Sequence, residues 1–161
     1  MSHRSSAAAA TAVKHALKTA INTALADETE IDISFGLRWP AQFDDAVAVA
    51  SVESHPDDPN VGSTLRSRYD TLSIGVSVVS FRPGWDTTAE VAASDRAYEL
   101  LALIDQHLRT GDNITLGGAA LWCLLADHQS DGATIPADDQ MPEGRLIEIA
   151  ATFTARVLIR N

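Results

Sequence analysis

The spacing of apolar residues changes several times along the chain, and each change marks an element. Val13, Leu17, Ile21 and Leu25 recur every fourth position with Ala16, Ala20 and Ala24 beside them. This is a narrow stripe on an alanine-rich helix, with Ser5 or Ser6 placed to cap its start. The period then becomes two: Ile31, Ile33, Phe35 and Leu37 alternate with Asp32, Ser34 and Gly36 until Trp39-Pro40. Alternation of that kind predicts a strand with one apolar and one polar face. AVAVASVES at 46–54 predicts a second strand. Leu72, Ile74, Val76 and Val78, alternating with Thr71, Ser73, Gly75 and Ser77, predict a third that ends at Arg82-Pro83-Gly84.

Helical spacing returns in DTTAEVAASDRAYELLALIDQHLRTG. Val91, Ala97, Leu100, Leu101, Ile104 and Leu108 are its predicted buried stripe, Thr87 and Glu90 have capping-box spacing, and Gly111 supplies the stop. NITLGG and AALWCLLADH read as strand material with a kink at Gly117-Gly118. The chain closes on RLIEIAATFTARVLIRN, in which Ile147, Ile149, Ala151, Phe153, Ala155, Val157 and Ile159 share one face opposite Glu148, Thr152, Thr154, Arg156 and Arg160. The expected fold is α+β in one domain, 1–161: a mostly antiparallel or mixed sheet of about five strands with two helices packed on one face. Residues 1–5 are expected to be flexible, and 54–68 and 127–144 to be long polar loops. The second sheet face is left to water or a partner.

Composition narrows the function. With 22 acidic against 12 basic residues and a formal charge of −10, the chain lacks the cationic footprint that phosphate neutralisation requires. Its only lysines are Lys14 and Lys18. The amino terminus imitates a secretion signal, but Lys14, His15 and Lys18 interrupt its apolar stretch, so it reads as a cytosolic helix. No apolar run reaches membrane-spanning length. The single cysteine, Cys123, lies in the apolar run AALWCLL and reads as a buried structural thiol.

No phosphate loop, dinucleotide fingerprint, nucleophile elbow, zinc-protease motif or cysteine pair occurs. The densest set of chemically capable side chains is His55, Asp57 and Asp58 in SHPDDPNVGSTLRSR, to which Asp127, His128, Asp131, Asp138 and Asp139 could add ligands. The same prolines, aspartates, asparagine and glycine are what a turn between two strands requires, and the hairpin reading is preferred. His107 ends a helix, where it favours the dipole. Asp95 and Arg96 read as a solvated helix face, and Trp39, Trp85 and Trp122 as interface or core aromatics.

YDTLSIGVSVVSF, DTTAEVAASDRAYELLALIDQHLR, TLGGAALW and GRLIEIAATFTARVLIR follow an alanine-rich first helix in an order that resembles the tail terminator proteins of long-tailed phages, particularly those of actinobacteria. The resemblance covers nearly the whole chain and departs at 38–45 and at DGATIPADDQMPEG. It implies a structural virion protein without enzymatic activity, metal or cofactor. Such a protein forms a homohexameric ring with itself, caps the tail tube protein, meets a neck or head-completion protein, and lets double-stranded DNA pass. It would be assembled in the host cytoplasm and reside at the tail–neck junction, with no membrane partner. The candidate contact residues are His55, Asp57, Asp58, Arg66, Arg68, Trp85, Asp138 and Asp139. Candidates for the face lining the hole are Asp32, Ser73, Ser77, Glu148, Thr152, Thr154 and Arg156. The alternatives are another neck adaptor, or a small metal-dependent enzyme or binding domain using His55, Asp57 and His128.

Overall fold

A computed structural model describes residues 2–36, 42–57, 67–139 and 142–160. In chain order the elements are β1 (Ser2–His3), α1 (Ser6–Ala24), β2 (Ile31–Ser34), β3 (Asp45–Pro56), β4 (Ser67–Pro83), α2 (Thr87–Leu108), a 3-10 segment (Gly111–Gly118), β5 (Trp122–Ile135) and β6 (Gly144–Arg160). The fold is α+β, built on one mixed sheet of six strands. Two strands of 17 residues, β4 and β6, pair antiparallel over their whole length, from Ser67↔Arg160 to Pro83↔Gly144. On the far side of β4 lies β3, antiparallel, and then the short parallel β2. The other side of β6 is shared end to end by β5, antiparallel, and β1, parallel.

Strict alternation along β4 and β6 sends every second side chain to one face, and α1 and α2 cover that face. Leu72, Ile74, Val76 and Val78 from β4 and Ile149, Ala151, Phe153, Ala155, Val157 and Ile159 from β6 are buried there with Val47 and Val49 of β3. Against them α1 sets Ala9, Val13, Leu17 and Ile21, and α2 sets Ala97, Leu100, Leu101, Ile104 and Leu108. Both helices thus lie on the apolar side, as the pattern required. Ser5 caps α1, its hydroxyl accepting from the Ala8 N–H at 3.2 Å. The cap of α2 is Asp86, not Thr87: its carboxylate accepts from the Ala89 N–H at 2.9 Å.

Several expected boundaries move for physical reasons. Val91 is exposed and Ala93 takes its place in the buried stripe, so the smaller side chain meets the sheet. NITLGG is a 3-10 segment rather than a strand, and it turns through Leu116, Gly117 and Gly118 at φ of 51°, 66° and 88°. Two glycines make that left-handed turn accessible, and Leu116 is carried with them because its side chain is buried in the core. Residues 127–135, expected as loop, continue β5 to Ile135. Residues 54–57 and 67–68 likewise belong to β3, its end, and β4 rather than to a loop, while 58–66 lie outside the described residues. The amino terminus expected to be flexible forms β1, where the His3 ring nitrogen lies 2.8 Å from the Ala119 carbonyl.

Two bulges explain the broken periodicities. In β3 the register steps from Val49↔Val76 to Ser51↔Gly75, leaving Ala50 unpaired. Val47 and Val49 therefore face the helices before the step and Val52 after it. The Lys14 ammonium donates to the Ala50 carbonyl at 2.8 Å. In β5 the step from Leu125↔Phe153 to Asp127↔Thr152 skips Ala126 and turns Asp127 to the open face.

An ion cluster ties the layers together at one end. Arg96 on α2 donates to Asp45 at 3.0 Å, to Glu28 at 2.6 Å and to Glu99 at 2.7 Å. Arg82 donates to Asp45 at 2.8 Å, as does the Ser80 hydroxyl. Arg96 is therefore a half-buried hub, not the solvated helix residue its spacing suggested. Burial alone would raise the Asp45 carboxyl, but the bonds from Arg82, Ser80 and Arg96 outweigh it and hold the group below its ordinary 3.8.

Two outcomes test this layout. Phe153→Ala, which empties a fully buried site, is expected to cost about 3–5 kcal/mol in chemical denaturation. Thr154→Ala on the opposite face should stay within about 0.5 kcal/mol. Because the folded Asp45 ionises below the unfolded value, its stabilisation is complete at neutral pH and is lost as pH falls below 3.8. Asp45→Asn should cost about 3 kcal/mol at neutral pH and remove part of that acid-side loss.

Candidate functional site

The face of the sheet turned away from the helices carries the side chains with no packing duty in the core. Ladder rows across β3, β4, β6 and β5 place Glu53, Ser73, Thr154 and Leu124 side by side, then Ser51, Gly75, Thr152 and Asp127, then Ala48, Ser77, Ala150 and Gln129. Most of these side chains are small and uncharged. A Cβ at Gly75 would lie 2.5 Å from the Ser51 hydroxyl oxygen, so a larger residue there would make Ser51 turn its side chain. Among the described residues no helix lies on this face.

Charged groups on it are paired at one end and acidic at the other. At one end Arg156 of β6 pairs with Asp57, donates to the Thr71 hydroxyl at 3.3 Å and stacks its guanidinium 5.0 Å from the Tyr69 ring centre. Asp57 also accepts from Thr71 at 3.2 Å, so an expected contact residue and an expected lining residue meet in one cluster. Trp122 stands directly across from Arg156 on β5. At the other end Glu148 accepts from Ser77 at 2.5 Å and faces Asp131 across the β5–β6 ladder. Tyr69, Arg156 and Trp122 form an exposed aromatic–arginine set of the composition that concentrates binding energy in interfaces.

The remaining expected residues divide. Ser73, Thr152 and Thr154 are half-buried on the open face. Ser77 lies there beneath Glu148 and is nearly covered. Asp32 keeps the expected parity, level with Ala46 and Glu148 while Ile31 and Ile33 pack against the core, but it is buried rather than lining an open surface. Arg68 points to the helix side, donating to the fully buried Asp70 at 2.9 Å and to Ser6 at 2.8 Å, and so joins the start of α1 to the sheet. Trp85 projects at 72% exposure from the turn before α2. Asp138 and Asp139 are exposed beyond β5. Asp58, Arg66 and Trp39 lie outside the described residues.

Sequence spacing missed Tyr69 and the Phe35 cluster. Tyr69 has the parity of Thr71 and Ser73, and extending the alternation two residues back would have found it. Phe35 leaves the sheet and sits beneath the Lys14 and Lys18 ammonium groups at 5.5 and 5.3 Å, with His15 edge-on at 5.0 Å; no short-range pattern announces that grouping.

The metal alternative needs His55, Asp57 and His128 together. His55 lies 3.7 Å from Glu53 on β3, while His128 packs edge-on against Tyr98 on β5. Three strand spacings separate those strands, about 14 Å. Among the described residues no three His, Cys, Asp or Glu side chains are placed to hold a metal ion. The groove between α1 and the 3-10 segment is lined by Ala16, Thr19, Ala20, Thr23, His107 and Asn113, with Leu116 and Gly117 beside them. No helix of the described residues is long and apolar enough to cross a membrane. No family model matches the chain, and no curated protein matches it.

Cys123 is fully buried on the helix side, and burial pushes its thiol up to about 12. A thiol-labelling reagent at pH 8 is therefore expected to leave the native protein unmodified and to react stoichiometrically once denaturant is added. Rapid native labelling would show that the β5 end opens readily.

Proposed function

We propose that this protein is a tail terminator of a long-tailed phage, a structural component that forms a homohexameric ring on the last ring of the tail tube. In that role it stops tube growth and joins the tail to the neck, and DNA passes through the ring. The observation that carries the reading is the uncovered sheet face: four strands wide, set mostly with serine, threonine, glycine and alanine, with Glu53, Asp127, Asp131 and Glu148 giving its charge an acidic excess. A surface that must let a polyanion slide past gains nothing from free cations, and Arg156 is bound to Asp57 while Arg160 stands at the end of β6. The succession of elements resembles that family along nearly the whole chain. The chain's excess of acidic residues suits a lumen that repels DNA.

Contacts above and below such a ring would fall to groups standing clear of the sheet. Trp85 at the mouth of α2 and the acidic Asp138 and Asp139 have that placement. Negative-stain electron microscopy tests the reading directly, with the protein alone at high concentration and then with tubes assembled from the matching tube protein. The expected images are rings with a central hole, seated on one end of each tube and halting its elongation. Rings that ignore tube ends would point to another neck component, and monomers under both conditions would remove the assembly reading.

A further inference from the structure

The sheet ends in two long edges that carry no further strand among the described residues. β2 pairs only with Asp45–Ala48, so β3 from Ala50 to Pro56 has no ladder partner on its outer side among the described residues. At the opposite margin β5 pairs with β6 alone, which leaves its outer side without a ladder partner among those residues. An exposed row of N–H and C=O groups is a template for another strand, and proteins that stay monomeric cover or shorten such edges.

The directions of the strands make these edges complementary. β5 runs antiparallel to β6, β6 to β4, and β4 to β3. The outer strands β3 and β5 therefore run in opposite senses. A second copy related by rotation about an axis along the strands keeps its directions, so its β5 arrives antiparallel to the first copy's β3. The alternation then continues across the boundary. The heights agree as well: the row Ser51–Gly75–Thr152–Asp127 sets the free part of β3 level with Trp122–Asp127.

Charge is mixed at the β3 margin, where exposed Glu53 stands on the open face and Lys14 reaches the edge from the helix side. Both lysines of the chain stand beside β3, Lys14 on the Ala50 carbonyl and Lys18 over Phe35. β5 carries exposed Asp127 and Asp131 and no lysine or arginine. We propose that the β3 edge from Ala50 to Pro56 receives the β5 edge of a second copy of this chain, head to tail, as an antiparallel strand. A head-to-tail joint of this kind closes into a ring where its rotation permits and otherwise continues as a filament. The proposal deepens the ring reading and rests on it for closure, while the choice of surfaces rests on the two edges.

Zero-length carbodiimide coupling tests it on the unaltered protein, since Lys14 and Lys18 are the only lysine amines. An equal mixture of unlabelled and isotope-labelled chains is coupled, free and on tube ends, and the joined peptides are identified by mass spectrometry. The expected product is a mixed-isotope peptide linking Lys14 to Asp127, the carboxylate level with Ser51 beside the carbonyl that Lys14 holds. Oligomers whose lysines couple between copies only to other carboxylates, or not at all, would overturn the edge joint and leave the ring reading standing. A chain that remains monomeric in solution and on tubes would overturn both.

Discussion

The structure depends on the full-length pairing of β4 with β6. Seventeen residues of each strand stay in register, so two faces of the sheet are fixed by residue parity alone. One parity is branched aliphatic and aromatic, and it must be covered. The alanine-rich stripe of α1 and the leucine-rich stripe of α2 cover it from a single side. The other parity is mostly serine, threonine, glycine, alanine and charged residues, which can remain in water without stabilising or destabilising much. A sheet of this construction has one covered face and one open face.

That division was legible in the sequence because β4 and β6 alternate without interruption, and so was the one-sided placement of the helices. What escaped was local and had a cause in each case. The bulge at Ala126 reverses the parity of β5 just where its composition turns polar, so DHQSDGATI reads as loop although it is hydrogen-bonded strand. The bulge at Ala50 similarly shifts Val52 onto the face of Val47 and Val49. In β2 the parity read from Ile31 and Ile33 holds, but Asp32 and Ser34 on the opposite face are covered as well, which four residues of alternation could not announce. TLGG looked like a strand because it is flanked by apolar residues, yet three successive left-handed residues make it a turn.

The electrostatics were less legible than the core, because ion pairs join residues far apart in sequence. Arg96 lies 51 positions from Asp45 and 68 from Glu28, and nothing near Arg96 in the chain marks it as buried. Burying two arginines and their carboxylates is favourable only when nearly every donor and acceptor is engaged, a condition that fixes how α2 approaches the ends of β3 and β4. The same reasoning separates Arg68 from Arg156. Both looked like surface cations, but parity sends Arg68 under α1 to Asp70 and Arg156 onto the open face with Asp57. The candidate site could therefore be located by parity, while the pairing of its charges required the fold.

This distribution bears on how an acidic chain could assemble with copies of itself. Like-charged subunits repel at long range, and the repulsion must be overcome by short-range bonds at the joint. Backbone strand pairing supplies such bonds independently of side-chain charge. Lys14 at the β3 margin lies level with Asp127 at the other, which offsets part of the repulsion where two copies would meet without changing the net charge. The Lys14 ammonium already occupies the carbonyl that the β3 bulge leaves unpaired, so in a lone chain it also shields that part of the edge. An incoming strand would then compete with Lys14 at one bulge while finding the stretch to Pro56 open. Such an edge tolerates solution as a monomer and still favours pairing when copies are held close together.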